Sequence, residues 1–368
     1  MRISIAQRLH PFSHLPGTRC VLPGSTIGLE IFPTLIRAHD LSDARGTKMQ
    51  EMQLALSGPV DDFTVQQDLE KGRVMVWGHF EEGFVRYVLS SVNRNNAFAI
   101  YMEKCPARGI QFSNVDRPIS VKDTLVVEKE AASFEEVPLY MPPKTDRLSL
   151  GSHRKHDWEL VQRRADLCDI LPVWHRLGQL VLQAPSIREE GMGALIHQCE
   201  LKIASHDKPA LAQAFLNAFQ GAFEGIFCPR WIDTRHQGFI VAPLSRHFND
   251  SPLALLSVGA RLIRRLFIDI TEDALGILPV LPPEFHCGRF LHIVCPNIGD
   301  VDFEWSKKRI RRLVLHSKSD RQLHLFFQKE IKTFRLRSSV ADRGKSMPVG
   351  MPIKIESGTH YFFDNFKR

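Results

Sequence analysis

The pattern of apolar and polar residues divides the chain into a strand-rich beginning, a helical middle and a strand-rich end. Between residue 25 and about residue 130, short β-branched and aromatic runs are separated by turn residues. The clearest runs predict strands at residues 73–80, 84–91, 96–103 and 124–127. Glu81, Glu82 and Gly83 between the first two predict a hairpin with a three-residue loop. Because no helical pattern alternates with these strands, a sandwich is favoured over a parallel sheet.

The middle of the chain has the periodicity of helices. Apolar residues recur at steps of three and four between residues 156 and 181, and Pro172 inside this stripe predicts two helices or a kink. Asp207 followed by Pro209 predicts the cap and first turn of another helix. Pro252 opens a further helix. The region has room for four to six helices, at roughly 11–12 residues each plus connections.

The last hundred residues return to a strand pattern. Val301, Phe303 and Trp305 alternate with Asp302 and Glu304, which predicts a half-buried strand. Further strands are predicted at residues 290–295, 309–316, 322–327 and 331–337. The predicted fold class is α+β, with a β-sandwich-like module at 1–136, a proline-marked linker at 137–150, a short α-helical region at 151–275 and a C-terminal antiparallel β-sandwich at 276–368.

Composition is that of an ordinary globular protein, with 43% apolar and 24% charged residues. With 368 residues, the chain exceeds the usual size of one hydrophobic core. No apolar run is long enough for a secretory signal or a membrane helix, so we expect no membrane partner. The seven cysteines contain no CxxC pair, which argues against a disulfide framework and a zinc site and favours a cytoplasmic location. P-loop, GxSxG and HExxH motifs are absent, and we expect no cofactor and no metal.

The net charge of +7 is concentrated in one stretch. Five cations, namely Lys307, Lys308, Arg309, Arg311 and Arg312, lie within six residues. Such a run attracts phosphates electrostatically. However, exposed aromatic residues are not interleaved with it, as they are in many nucleic-acid sites. We therefore expect a solvated hairpin turn here, and we do not expect a nucleic-acid partner.

Two runs within residues 253–317, LALLSVGARLIRRLFIDITEDALGILPVLPPEFHCGRF and DVDFEWSKKRIRRLVLHS, carry a resemblance to a known family. They resemble the C-terminal part of (α/α)-barrel glycosidases, with the inverting α-L-fucosidases and their relatives as the nearest group. The corresponding positions are 277–283, Gly288, 301–305 and 309–317. The resemblance covers about a fifth of the chain. It implies a covering β-sandwich and a carbohydrate partner.

The helical region departs from that family. A complete barrel of about twelve helices needs roughly 200 residues, whereas about 130 residues are present here. No catalytic residue of the family can be carried over, because the barrel elements that bear them are missing. We expect a carbohydrate-related, glycosidase-like protein with a reduced helical region that binds or hydrolyses a glycan. The alternative is a non-catalytic interaction or scaffold protein that retains only the architecture.

The segment 230–237 combines aromatic and ionisable residues and is the first candidate site. Trp231 is suited to stacking on a sugar ring, and Arg235 and His236 to hydrogen bonding with hydroxyl groups. Asp233 is a candidate general base, and Glu224, nine positions upstream, is the candidate second carboxyl group. Inverting hydrolysis needs two carboxyl groups about 6.5–9.5 Å apart.

The segment 153–159 is the second candidate, and both segments have a purely structural alternative. His156 and Asp157 are sequence neighbours, and Glu159 lies three residues after His156, a spacing that can place His156 and Glu159 on one helix face. A His–carboxylate pair can tune a proton-transfer group toward neutrality, and His156 and Asp157 are candidate substrate-binding residues. Equally, this stretch fits a capped helix start with exposed charges. In the first segment, Trp231 could instead fill a domain junction while Arg230 pairs with Asp233.

Overall fold

A computed structural model describes residues 3–5, 9–92, 96–234, 236–339 and 341–368. Within these ranges the chain forms five helices and 24 strands, most of them in antiparallel sheets. The predicted α+β class is therefore confirmed, with strands in the majority. The three regions of the sequence pattern share one hydrophobic core, which runs from Leu9 to Phe363.

Eleven strands build the N-terminal region. They are β1 (Phe12–Ser13), β2 (Thr18–Val21), β3 (Ile27–Phe32), β4 (Leu35–Asp40), β5 (Thr47–Gln53), β6 (Asp61–Asp68), β7 (Arg73–Phe80), β8 (Gly83–Ser91), β9 (Phe98–Lys104), β10 (Thr124–Glu128) and β11 (Ala131–Phe134). A seven-stranded sheet has the order β1-β6-β7-β8-β9-β10-β11, and a four-stranded sheet has the order β2-β3-β4-β5. Side chains of both sheets enter the same core, as in a sandwich.

The predicted strands of this region are confirmed, but the predicted loop of the first hairpin is wrong. Phe80 pairs with Gly83, so the turn between β7 and β8 contains only Glu81 and Glu82. Gly83 has a φ of +112°, a backbone conformation that side-chain-bearing residues rarely adopt. The glycine therefore belongs to the strand and not to the loop.

The proline-marked segment ends in a strand. Residues 135–146 are irregular, and β12 (Arg147–Ser149) follows them. Leu148 is buried, and β12 pairs with the C-terminal sheet described below. The segment therefore contributes an edge strand to the C-terminal region as well as connecting the two halves of the chain.

The helical region contains α1 (Trp158–Arg164), α2 (Leu167–Gln179), α3 (Gly193–Ala204), α4 (Lys208–Ala222) and α5 (Leu253–Phe267), and the short strands β13 (Phe223–Glu224) and β14 (Cys228–Pro229). Helix α3 was not predicted from the sequence. The predicted cap of α4 is confirmed, because the Asp207 carboxylate accepts a hydrogen bond from the amide of Ala210 at 3.3 Å. None of the helices in the described ranges has the length and apolar character needed to cross a membrane.

The long apolar stripe forms two helices, as predicted, but the break between the helices does not lie at Pro172. Helix α1 ends at Arg164, and the C-cap residue Ala165 has a left-handed φ of 51°. Asp166 then caps α2 by accepting a hydrogen bond from the amide of Cys168 at 2.9 Å. Because this cap satisfies a first-turn amide, the new helix begins there. Pro172 lies inside α2.

Helices α2 and α5 pack against each other closely enough to require glycine on both. A Cβ atom on Gly178 would lie 2.4 Å from the carbonyl oxygen of Leu256, and one on Gly259 would lie 2.4 Å from the ring of Trp174. The indole Nε1 of Trp174 donates a hydrogen bond to the same Leu256 carbonyl at 3.3 Å. Helix α2 therefore lies in the centre of the core, with Trp174 fully buried.

Ten strands complete the C-terminal region. They are β15 (Ile268–Ile270), β16 (Ala274–Ile277), β17 (Cys287–Cys295), β18 (Gly299–Ser306), β19 (Arg309–Ser317), β20 (Arg321–Phe326), β21 (Thr333–Arg337), β22 (Lys345–Pro348), β23 (Ile353–Ile355) and β24 (His360–Lys367). A seven-stranded antiparallel sheet has the order β12-β17-β18-β19-β24-β21-β22. The second sheet, β15-β16-β20-β23, contains one parallel pair, β16 with β20. All five predicted strands are present.

The alternation predicted for β18 is confirmed. Val301, Phe303 and Trp305 are buried, and the intervening residues are partly exposed. Gly288 on β17 lies opposite Trp305, and a Cβ atom there would be 2.2 Å from the indole ring. Gly288 and Trp305, both named in the family resemblance, therefore contact each other.

The buried His175 predicts a loss of stability in acid. Its Nδ1 lies 3.1 Å from the Ala260 carbonyl, its Nε2 lies 2.9 Å from the Gln179 amide nitrogen, and burial lowers its pKa from 6.5 to about 4. Because the pKa of His175 is lower in the folded state than in the unfolded state, the contribution of its neutral ring to the free energy of unfolding is fully present above pH 6.5. That contribution falls by roughly 1.4 kcal/mol per pH unit, about 3 kcal/mol in total, as the pH approaches 4.

Urea unfolding of the wild type and of His175→Gln above pH 6.5 and near pH 4 measures this difference. We expect the wild type to lose more stability than the variant over this interval, since the variant lacks the titrating ring. Equal losses in both proteins would show that His175 does not contribute to the pH dependence.

Candidate functional site

A cleft of about 470 Å³ opens where the turn at residues 13–19 meets α1 and the end of α4. Aromatic side chains form much of its wall, namely Trp158, Phe219, Phe223 and Phe239. The polar lining consists of two hydroxyl residues, three glutamines and four charged residues: Ser13, Thr18, Gln162, Gln220, Gln237, Arg19, Glu159, Glu224 and Arg230. The volume lies in the range of small-molecule sites, about 300–1,000 Å³.

Glu224 lies in this cleft and forms an ion pair with Arg19. The short strand β13 positions Glu224, whose side chain is 8% exposed. The amide of Ile226 donates to the Arg19 carbonyl at 2.7 Å, which fixes β2 beside the turn between β13 and β14. Arg19 Nε also donates to Glu30 at 3.0 Å. Burial alone would lower the pKa of Arg19, but hydrogen bonds and charge from Glu224 and Glu30 raise it above its usual value.

Arg230 is the second charged side chain of the cleft that is almost completely buried, with 7% exposure. Its Nε donates to the carbonyl of Gly221 near the end of α4 at 2.9 Å, and its Nη2 bonds to the side chain of Gln237. Its Nη1 lies 3.7 Å from Asp233. Arg230 therefore ties the helix end to the loop that carries Gln237 and Phe239.

Asp233, the predicted general base, organises that loop and does not line the cleft. Its Oδ2 accepts hydrogen bonds from the amides of Gly238 at 3.0 Å and Phe239 at 3.3 Å. Burial alone would raise the pKa of Asp233, but the amide of Phe239 and the charge of Arg230 outweigh it and lower the pKa. A carboxylate held in this way is a poor proton acceptor near neutral pH.

The prediction that Trp231 stacks on a sugar is wrong in this structure. Trp231 is 3% exposed, its Nε1 donates to the Asp250 carbonyl at 2.8 Å, and its ring meets Phe248 edge-on at 4.8 Å. Trp231 thus fills a junction in the core, which was the structural alternative. His236 is exposed and does not line the cleft. Arg235 lies outside the described residues.

His156 and Asp157 lie elsewhere. Asp157 caps α1 by accepting a hydrogen bond from the amide of Leu160 at 3.2 Å, as the structural alternative proposed. His156 is buried, which lowers its pKa, and it lines a separate pocket of about 560 Å³ beside His10, His14 and His153. In the described ranges, no group of three or more His, Cys, Asp or Glu side chains is arranged to hold a metal ion.

The comparisons with known proteins leave the family open. No protein-family model matches this chain, and no curated protein matches it. The resemblance to (α/α)-barrel glycosidases therefore stays a prediction.

Part of the cleft has no signature in the local sequence. Arg19 lies 205 positions before its partner Glu224, and no local pattern connects them. Gln237 belonged to the segment that was singled out, but its role as a partner of Arg230 depends on the loop conformation. The arrangement offers charged and amide hydrogen-bonding groups in front of aromatic walls, with its one deeply buried carboxylate held by an arginine.

If Asp233 holds the loop, its removal will loosen the turn from Asp233 to Phe239. We expect Asp233→Ala to be cut in this turn several-fold faster than the wild type in limited proteolysis, because two backbone amides lose their acceptor. Thr234→Ala, next to it and exposed, is the matched control. Equal cleavage rates for the two variants would contradict a loop-holding role for Asp233.

Proposed function

We propose that this chain is a carbohydrate-related protein that binds a glycan in the cleft around Glu224 and Arg230. The observation that carries the proposal is the presence of two charged side chains, each less than a tenth exposed, in a concave site with aromatic walls. Both have partners within the protein, Glu224 in Arg19 and Arg230 in Gln237, and the site arranges them beside three glutamine amides.

The chemistry of the lining suits sugar hydroxyl groups. A hydroxyl group donates one hydrogen bond and accepts two, so it can bridge a carboxylate and a guanidinium group. Glu224 supplies acceptors, Arg19 and Arg230 supply donors, and Gln237 supplies both. The apolar face of a sugar ring is suited to packing against side chains such as Phe239, which is partly exposed at the cleft.

Binding is favoured over hydrolysis. The predicted acid–base pair was Glu224 and Asp233, but Glu224 is held by Arg19 and Asp233 bonds to two backbone amides. An arginine partner favours the ionised carboxylate, whereas a general acid must carry a proton. The resemblance of residues 253–317 to the covering sandwich of glycosidases adds support for a carbohydrate partner, independently of the cleft.

A panel of neutral oligosaccharides, including fucosylated ones, tests the proposal by isothermal titration calorimetry. We expect at least one member to bind saturably and Glu224→Gln to weaken it by about ten- to a hundredfold, since a hydrogen bond to a charged group contributes about 1.5–3 kcal/mol. Glu51→Gln is the matched control. Glu51, like Glu224, pairs with an arginine of the N-terminal region, but Glu51 lies outside the cleft.

Three results would contradict the proposal. If no saccharide binds, the alternative of a non-catalytic scaffold protein is favoured. If Glu224→Gln binds as the wild type does, the cleft is not the site. If the wild type releases reducing ends and both Glu224→Gln and Asp233→Asn abolish this, the protein hydrolyses its ligand and our preference for binding alone is wrong.

A further inference from the structure

A second concave surface, which shares no lining residue with the cleft, gathers positive charge from four parts of the chain. This cationic groove of about 820 Å³ lies between the start of α4, the loop at 278–283, the turn joining β18 to β19, and residues 327–330. Its cations are Lys208, Lys307, Lys308, Arg309, Lys329 and Arg368. Glu330 is the one carboxylate side chain in the lining, so the groove carries +5 (six cations less one carboxylate) against +7 for the whole chain.

The groove keeps a net positive charge after its one carboxylate side chain is counted. None of the six cations forms an ion pair with another residue in the part of the chain that the structure describes. Neighbouring residues of the same hairpin behave differently, since Arg312 pairs with Glu304 and Arg311 donates to the Ser306 hydroxyl at 2.9 Å. A concentration of unneutralised cations in a concavity focuses a positive potential there.

The turn between β18 and β19 carries lysines where its geometry favours other residues. Ser306 pairs with Arg309, which leaves a two-residue turn, and Lys307 and Lys308 have φ values of 51° and 62°. Two positive φ angles are typical of a type I′ turn, for which asparagine followed by glycine is preferred. Turn stability therefore does not explain the two lysines.

We propose that the cationic groove binds the phosphate backbone of a single-stranded nucleic acid. Phosphodiester chains bear one negative charge per nucleotide, so several cations of the groove can each meet a phosphate, and neutralising these charges releases counterions. Apart from Gln328, the rest of the lining is apolar, and Pro279, Pro283 and the partly exposed Phe327 are available to contact bases. The groove is concave, which suits a strand lying within it better than a flat membrane surface. This proposal is independent of the glycan cleft.

From the sequence we expected a solvated hairpin turn and no nucleic-acid partner, because only the run from Lys307 to Arg312 was visible there. Folding removes two members of that run, since Arg311 and Arg312 bond within the hairpin. It replaces them with Lys208, Lys329 and Arg368, which come from distant parts of the chain. The expected hairpin turn is present, and it forms one wall of the groove.

The test is fluorescence anisotropy with a labelled oligothymidine and a labelled oligouridine, titrated with the full chain over a series of salt concentrations. The variant Lys307→Asn/Lys308→Gly removes two charges and installs the preferred turn residues, so it should fold at least as stably as the wild type. We expect its slope of log K against log salt to be smaller by about 1.4, at about 0.7 per lost phosphate contact on a single strand. Its melting temperature should not fall.

Lys122→Gln/Lys129→Gln is the matched control, because it removes two exposed lysines from the N-terminal module, one of them in the β10–β11 turn. It should bind with the wild-type salt slope. The proposal is overturned if the wild type binds neither oligonucleotide at low salt, if the Asn/Gly variant binds as the wild type does, or if the control loses as much affinity as that variant. Binding to phosphatidylserine vesicles or an acidic peptide, without binding to either oligonucleotide, would also overturn it.

Discussion

The close contact between α2 and α5 is the constraint on which the rest of the architecture depends. Glycines at 178 and 259 allow the two helices to approach until backbone meets side chain, and no larger residue fits either position. Helix α2 then reaches both β-rich regions. Arg176 donates to the carbonyl of Leu69 at 3.2 Å on the N-terminal side, and the ring of His175 meets Phe290 of the C-terminal sheet edge-on at 5.3 Å. One buried helix thus holds two β-rich regions in a fixed relation.

Local patterns in the sequence were sufficient for most of the elements. Strict alternation identified β18, and the cap at Asp207 identified the start of α4, because both signals depend on neighbouring residues. Helix α3 was missed because its cap position, Met192, forms no side-chain hydrogen bond. The break between α1 and α2 was assigned to Pro172 because proline is a strong signal, although the left-handed Ala165 ends the helix.

The candidate sites could be predicted only in part, since each depends on contacts between distant segments. The cleft joins Arg19 to Glu224, and the hydrogen bonds of its loop turned Asp233 from a candidate base into a structural acceptor. Trp231 looked available to a ligand because its neighbours are polar, yet the chain folds it against Phe248. Residue type therefore indicated where polar chemistry concentrates, while tertiary packing decided which side chains face a cavity.

The strand β12 has a consequence for how the chain can be divided. It lies at one edge of the C-terminal sheet, paired with β17, although it precedes every helix in the sequence. A fragment that begins after the helices would leave the peptide groups of β17 on that side without hydrogen-bonding partners. Open edges of this kind recruit strands from other molecules and promote aggregation. The edge of the C-terminal sheet is thus covered by a strand that precedes the helices in the sequence. The two halves of the chain are therefore better suited to being synthesised and inherited together than to being exchanged as separate modules.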